Sequence, residues 1–199
     1  SIVQGSGLGP ILYIALARRL KTLSDKNSLS KYADDTSLLV PQHSNCSIEA
    51  EFDHVLKWSS ENKLNINKSK TQEIIFWRTN KVVKKYSIPA IPGIERVNQV
   101  KLLGVFLTSH LCWTPQIDSV LSAASQKFYL LNQLKQMNLG KTGLNNVFQA
   151  LVVSRLRYAL SVFSGYLQQS DIGRIDAVIR KARRWGLTTM VDDFADLAD

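Results

Sequence analysis

Cysteine is scarce: Cys46 and Cys112 are the two in 199 residues, and neither has a His or second Cys at metal-ligand spacing. This argues against a thiolate zinc site and against a disulfide-stapled secreted domain, and makes a reducing compartment the default. Long apolar runs are also missing. The longest candidate, Ala150 to Phe163, is broken by Arg155 and Arg157, so no segment approaches the eighteen or so apolar residues of a membrane helix. A soluble protein without a membrane partner is expected. There is no charged-then-apolar leader, and Ser1 in place of methionine reads as the start of a fragment. No internal repeat and no low-complexity tract stands out.

Acidic charge is in short supply as well, with 16 Asp and Glu against 25 Lys and Arg, a formal charge of +9. That balance suits a polyanionic partner such as nucleic acid, although ordinary basic surfaces share it. What is plentiful is apolar side chain, 45% of residues, enough for one sizeable core or a large core with a smaller satellite.

Apolar spacing predicts a helix over 9–23, with Pro10 in its first turn. From Leu29 to Val40 two short apolar runs flank Ala33-Asp34-Asp35, the pattern of two antiparallel strands joined by an acidic turn. Ile48, Phe52, Val55 and Leu56 predict a helix ending near Asn62, and Gln72 to Trp77 a strand. A punctuated loop, Pro89 to Gly93, leads to a strand-like stretch over Val97 to Thr108 with Gly104 in its middle. After Thr114-Pro115, read as a cap and a helix-starting proline, the pattern is helical only. One helix follows from Ile117 to Leu131, a second carries Leu144 to Val152, and a third, capped by Ser170, carries Ile172, Ile175, Ile179 and Ala182. The expected organisation is α+β: a mixed region over 1–114, a helical region over 115–190 and a mobile acidic tail over 191–199.

The acidic turn is the first candidate site. Alternate strand residues face opposite ways, so adjacent carboxylates reach one site only if a tight turn falls at Ala33-Asp34. Two hard oxygen donors at such a tip suit Mg2+ or Mn2+. Taken alone, an Asp-Asp pair is commonly a solvated turn.

The surrounding residues carry more. Apolar strand, Tyr32-Ala33-Asp34-Asp35, apolar strand resembles the catalytic hairpin of reverse transcriptases. Upstream, Gln4-Gly5-Ser6-Gly7-Leu8-Gly9-Pro10 resembles the segment that precedes the palm helix in the enzymes of non-LTR retrotransposons of the LINE or jockey kind. Trp58 through Leu64-Asn65-Ile66-Asn67-Lys68-Ser69-Lys70-Thr71 to Ile75-Phe76 resembles the next block. Leu102-Leu103-Gly104-Val105 with Trp113 resembles the block that begins the primer-gripping region. Four motifs stand in family order across residues 1–114.

The resemblance implies an RNA-directed DNA polymerase with an RNA template, a DNA primer and dNTP substrates, working inside the cell with nuclear activity for the parent element. Its fold would be part of a right-hand polymerase palm followed by a helical thumb. Asp34 and Asp35 would be ligands to two magnesium ions that drive in-line nucleotidyl transfer. The third carboxylate, which the family draws from a strand before the Gln-Gly segment, is not found here. Asp25, after the helix, reads as a surface or capping residue. The chain alone is therefore expected to be inactive and to expose an unpaired sheet edge. It also departs from the family in having Ala15-Leu16-Ala17-Arg18-Arg19-Leu20 where Asn-Asp-Leu is usual.

The resemblance further assigns Gln4 and Gly5 to the templating pair and incoming nucleotide, and Tyr32 to primer or ribose packing. Lys70, aligned better than Lys68, would donate a proton to departing pyrophosphate, and Leu103 and Gly104 would shape the primer grip. Plainer readings accompany each: a flexible helix lead-in, sheet packing, a solvated lysine pair, ordinary strand residues. In the last helix Arg174, Lys181 and Arg184 fall roughly opposite the apolar stripe, with Arg180 at its edge. Such a face can track a phosphate backbone or be merely solvated. Two other functions remain open: a non-catalytic nucleic-acid-binding remnant of a decayed or domesticated element, and a metal-dependent nuclease or hydrolase built on Asp34 and Asp35.

Overall fold

The computed structural model describes residues 7–77, 88–189 and 193–198. Helices and small sheets are mixed. Helix α1 spans Leu8–Ala17, strands β1 and β2 span Ser28–Tyr32 and Asp35–Leu39, and α2 spans Ile48–Glu61. Short strands follow: β3 over Gln72–Ile74, β4 over Glu95–Val97, β5 over Gln99–Leu102 and β6 over Val105–Thr108. The rest is helical, with α3 over Thr114–Gln136, α4 over Lys141–Phe148, a π-helical turn over Gln149–Val153, α5 over Ser154–Arg157, α6 over Leu160–Phe163, α7 over Gln169–Arg184 and α8 over Phe194–Ala198. Among the described residues the strands form three separate two-stranded sheets, β1-β2, β3-β4 and β5-β6.

Two compact units divide the chain, Ser1–Glu73 with Ile88–Arg96, and Ile74–Ser87 with Val97–Asp199. The compositional break near residue 114 therefore falls inside the second unit. The reason is that Val105 and Trp113 are buried in the same cluster as the helices, and Leu107 packs against it.

In the first unit, α1 stops at Ala17 rather than running to 23. The Lys31 ammonium, from β1, donates to the carbonyls of Ala17 at 2.5 Å and Leu20 at 2.6 Å, a cation placed where a helix end presents negative partial charge. Burial lowers the Lys31 pKa. The chain that follows is gathered by Glu51 of α2, whose enclosed carboxylate accepts from the backbone amides of Leu23 and Ser24 and from the Asn27 side chain. Ser47 caps α2 by accepting from the Ala50 amide, as a serine at that position should. Arg96 joins β4 to β3 by a two-pronged bond to Glu73.

The second unit is built on a contiguous apolar cluster. Ile117, Ala124, Phe128 and Leu131 of α3, Leu144 and Phe148 of α4, and Ile175, Ile179 and Ala182 of α7 are buried in it, at the helical spacing their sequence announces. The turn after α4 widens to π geometry, and Val152 and Val153 within it are both buried. Three expectations are corrected here. The stretch from Val97 to Thr108 is a hairpin, because Leu103 and Gly104 adopt φ of 46° and 85° and reverse the chain. Gln168, not Ser170, precedes the first residue of α7. The segment read as a mobile tail contains α8, whose Phe194 and Leu197 are buried in the cluster, with the Phe194 amide donating to Asp176.

Candidate active site

The hairpin β1-β2 is antiparallel, with Ser28 opposite Leu39 and Tyr32 opposite Asp35. That register leaves Ala33 and Asp34 as a two-residue loop, the tight turn the sequence calls for. Ala33 takes a φ of 47°, a conformation that costs a residue with a Cβ about 1 kcal/mol or more, and its small side chain keeps that cost low. Asp34 and Asp35 both lie exposed at the tip. Neither carboxylate is engaged in a hydrogen bond or ion pair among the described residues, so their oxygens are available to a ligand.

Tyr13 of α1 sits within electrostatic range of this tip. Burial raises the pKa of its phenol and the negative charge of Asp34 raises it further. Neither Tyr13 nor the two supports of this unit, Lys31 and Glu51, is singled out by sequence reasoning; the partners of Lys31 and Glu51 lie 11 to 28 positions away. Tyr32 is exposed at the end of β1.

Lys70 lies in a polar turn, exposed like Lys68. Asn67 shapes that turn: its side-chain oxygen accepts from the Ser69 amide and hydroxyl, and its carbonyl accepts from the amides of Lys70 and Thr71. Asp25 is exposed in the loop gathered by Glu51. Gln4 and Gly5 lie outside the described residues. Groups of three or more His, Cys, Asp or Glu that could hold a metal ion are absent among the described residues, so Asp34 and Asp35 stand as a pair.

In the second unit, Leu103 and Gly104 form the two-residue turn of β5-β6, with Leu102 opposite Val105. Positive φ at both positions marks the primed turn whose twist matches a hairpin. The Tyr158 hydroxyl donates to the Leu103 carbonyl at 2.6 Å.

The basic residues of α7 are not equivalent. Arg174 is bound by Asp118 of α3 and by Asp171 one turn back. Lys181 lies over the Trp185 ring at 4.6 Å and the Phe128 ring at 5.8 Å, its charge held against aromatic faces. Arg180 and Arg184 are exposed, with no hydrogen bond or ion pair among the described residues. No helix is long and apolar enough to cross a membrane among the described residues.

Comparison with curated proteins and with solved structures gave no match. The family model for reverse transcriptase (RNA-dependent DNA polymerase) matches residues 1–107, a span that takes in the acidic hairpin, the Lys70 turn and the Leu103-Gly104 turn and covers more than half of the chain, which therefore belongs to the reverse transcriptase family.

Proposed function

We propose that residues 1–114 form the later part of a polymerase palm and residues 115–190 its helical thumb, in a reverse transcriptase of the non-LTR retrotransposon kind. The order of the four motifs supports this reading. The observation that carries it is the pairing of Tyr32 with Asp35, which leaves adjacent, uncommitted carboxylates at a hairpin tip in a chain of this family.

Asp34 and Asp35 fit Mg2+ or Mn2+ by donor chemistry, since both offer hard carboxylate oxygens and the turn holds no nitrogen or sulfur ligand. Bound there, such ions would supply the charge that activates the primer 3′-hydroxyl and stabilises departing pyrophosphate. The chain's own residues bind and orient. Tyr32 offers a ring to the primer or ribose, and Gln4 and Gly5 meet the templating pair and incoming nucleotide. Lys70 gives a proton to the departing pyrophosphate, and Leu103 and Gly104 bear on the primer backbone. Arg180 and Arg184, with lesser parts for Arg174 and Lys181, meet duplex phosphates.

Two carboxylates are too few to hold two ions in register, so the 199-residue chain by itself should bind primer–template duplex in a salt-sensitive way without extending it. The test is primer extension by the full-length enzyme that carries this chain. Asp34→Asn should lower extension on the order of a thousandfold, the scale of several kcal/mol of lost charge stabilisation. Extension unaffected by that change would defeat the catalytic assignment. The altered end of α1, Ala15 to Leu20, motivates a second reading as a non-catalytic nucleic-acid-binding remnant, for which the full-length protein would bind duplex and extend nothing.

A further inference from the structure

The turn at Leu103-Gly104 has an unusual support. Leu103 holds a φ of 46°, a left-handed conformation that a leucine adopts at a cost and that something nearby must stabilise. In a two-residue hairpin turn the carbonyl of the first loop residue points away from the ladder. Here it is met by the Tyr158 hydroxyl, 55 positions later in the chain, at 2.6 Å.

The same ring fills the space beside Gly104. A Cβ at that position would lie 3.3 Å from Cε1 of Tyr158, so the glycine supplies both the positive φ of 85° and the clearance for the ring. One aromatic side chain thus bears on both residues of the turn, bonding the first through its hydroxyl and lying close against the second.

Tyr158 is itself held in an irregular setting. Its amide donates to the Ser154 carbonyl, closing α5 immediately after the π-helical turn of Gln149–Val153. Its ψ of 119° then ends the helix, and Ala159 follows at a φ of 56°. On either side, Leu156 and Leu160 are buried in the helical core. The backbone at Tyr158 is therefore clamped to the core while its ring, about half exposed, reaches out to the hairpin. An extra residue in the helix and a left-handed alanine cost more than a regular helix end would.

We propose that Tyr158 is a positioning residue for the primer: it holds the Leu103-Gly104 turn in the conformation that contacts the primer strand, and couples that contact to the helical core. This rests on the reading of Leu103-Gly104 as the primer grip. It predicts that loss of the hydroxyl alone loosens primer placement without unfolding the unit, because the ring still packs against Gly104.

The experiment uses the full-length enzyme carrying this chain, with a photoreactive residue in place of Leu103 and a labelled primer on a template. Primer extension is measured in parallel on the enzyme with Leu103 intact. Tyr158→Phe should reduce cross-linking to the primer and raise the KM for primer–template about three- to tenfold, the range expected for one net hydrogen bond. KM for dNTP should stay unchanged, and the melting temperature should fall by no more than about a few degrees, the scale of one hydrogen bond. Cross-linking and primer KM that are the same in Tyr158→Phe as in the parent would overturn the proposal while leaving the primer-grip reading intact. Absence of cross-linking in the parent would overturn both. A fall in melting temperature that accounts for the whole kinetic change, with equal rises in both KM values, would assign Tyr158 a purely structural role and also overturn it.

Discussion

The two compact units are stabilised by different means. Among the described residues, twenty buried apolar residues, from Val105 to Leu197, form one cluster in the second, whereas the first has Ala17, Leu20, Ile91 and Ile94 as its buried apolar side chains. The first unit compensates with polar clasps: Glu51 on the 23–27 loop, Lys31 on the end of α1, Arg96 on Glu73. Its α1 leaves Leu8, Ile11, Leu12 and Ile14 exposed, although an all-apolar helix ordinarily lies buried. The lesson is that the unit bearing the acidic hairpin draws less of its order from apolar burial than the helical unit does. It should answer to pH and single polar substitutions, and the helical unit to cavities.

The sharpest way to break that contrast is Phe148→Ala. Phe148 is fully buried beside Phe128, so truncation should destabilise the helical unit by about 3 to 5 kcal/mol, read by chemical denaturation followed at Trp113 and Trp185. Glu51→Ala comes next. It strands the Leu23 and Ser24 amides and the Asn27 side chain, at about 2 to 3 kcal/mol, and should loosen the hairpin unit while the helical unit keeps its amide protection. The same carboxylate sets an acid limit. Burial by itself would raise its pKa, but the hydrogen bonds from Leu23, Asn27 and Ser24 outweigh that and lower it from the ordinary 4.5. Its stabilisation is complete above 4.5 and is lost as pH falls below that value and through the depressed folded-state pKa. Amide signals of residues 20–39 should therefore weaken in acid, and Glu51→Gln should remove most of that pH dependence. The smallest effect concerns α7. Arg180→Ala or Arg184→Ala should reduce the salt slope of duplex binding by about one, and Arg174→Ala by less, because Asp118 and Asp171 already occupy its guanidinium.

Much of this was legible in the chain because it is local. The acidic hairpin follows from two short apolar runs around a small-residue turn, and α2 ends at Glu61, next to the Asn62 near which its spacing places the end. The apolar stripe of α7 is buried at Ile175, Ile179 and Ala182. What was not legible depends on distant partners. Periodicity carries α1 on to residue 23, yet a lysine on β1 and a glutamate on α2 take over the chain after Ala17. Thr114 reads as a cap, but Trp113 precedes the helix and the Thr114 hydroxyl turns to Asp171 instead. Gly104 in mid-strand was a visible sign of a turn, and only its pairing with Leu103 and Tyr158 made it a hairpin. The acidic end looked mobile because five residues are too few for a periodic signal; Phe194 and Leu197 were its apolar clue. For the candidate site, the paired carboxylates are visible in the sequence, while the interaction of Tyr13 with Asp34 and the bond from Tyr158 to Leu103 are found only in three dimensions.

The central claim is that the carboxylates of Asp34 and Asp35 act together on one dication at the hairpin tip. It is tested most directly by titrating Mn2+ into the isotopically labelled chain and following paramagnetic broadening of its amide signals. The signals of Tyr32 to Thr36 should broaden first, at sub-stoichiometric metal, and Asp34→Asn or Asp35→Asn should each abolish that selectivity. Broadening spread evenly over the acidic surface, or unchanged by either substitution, would contradict it.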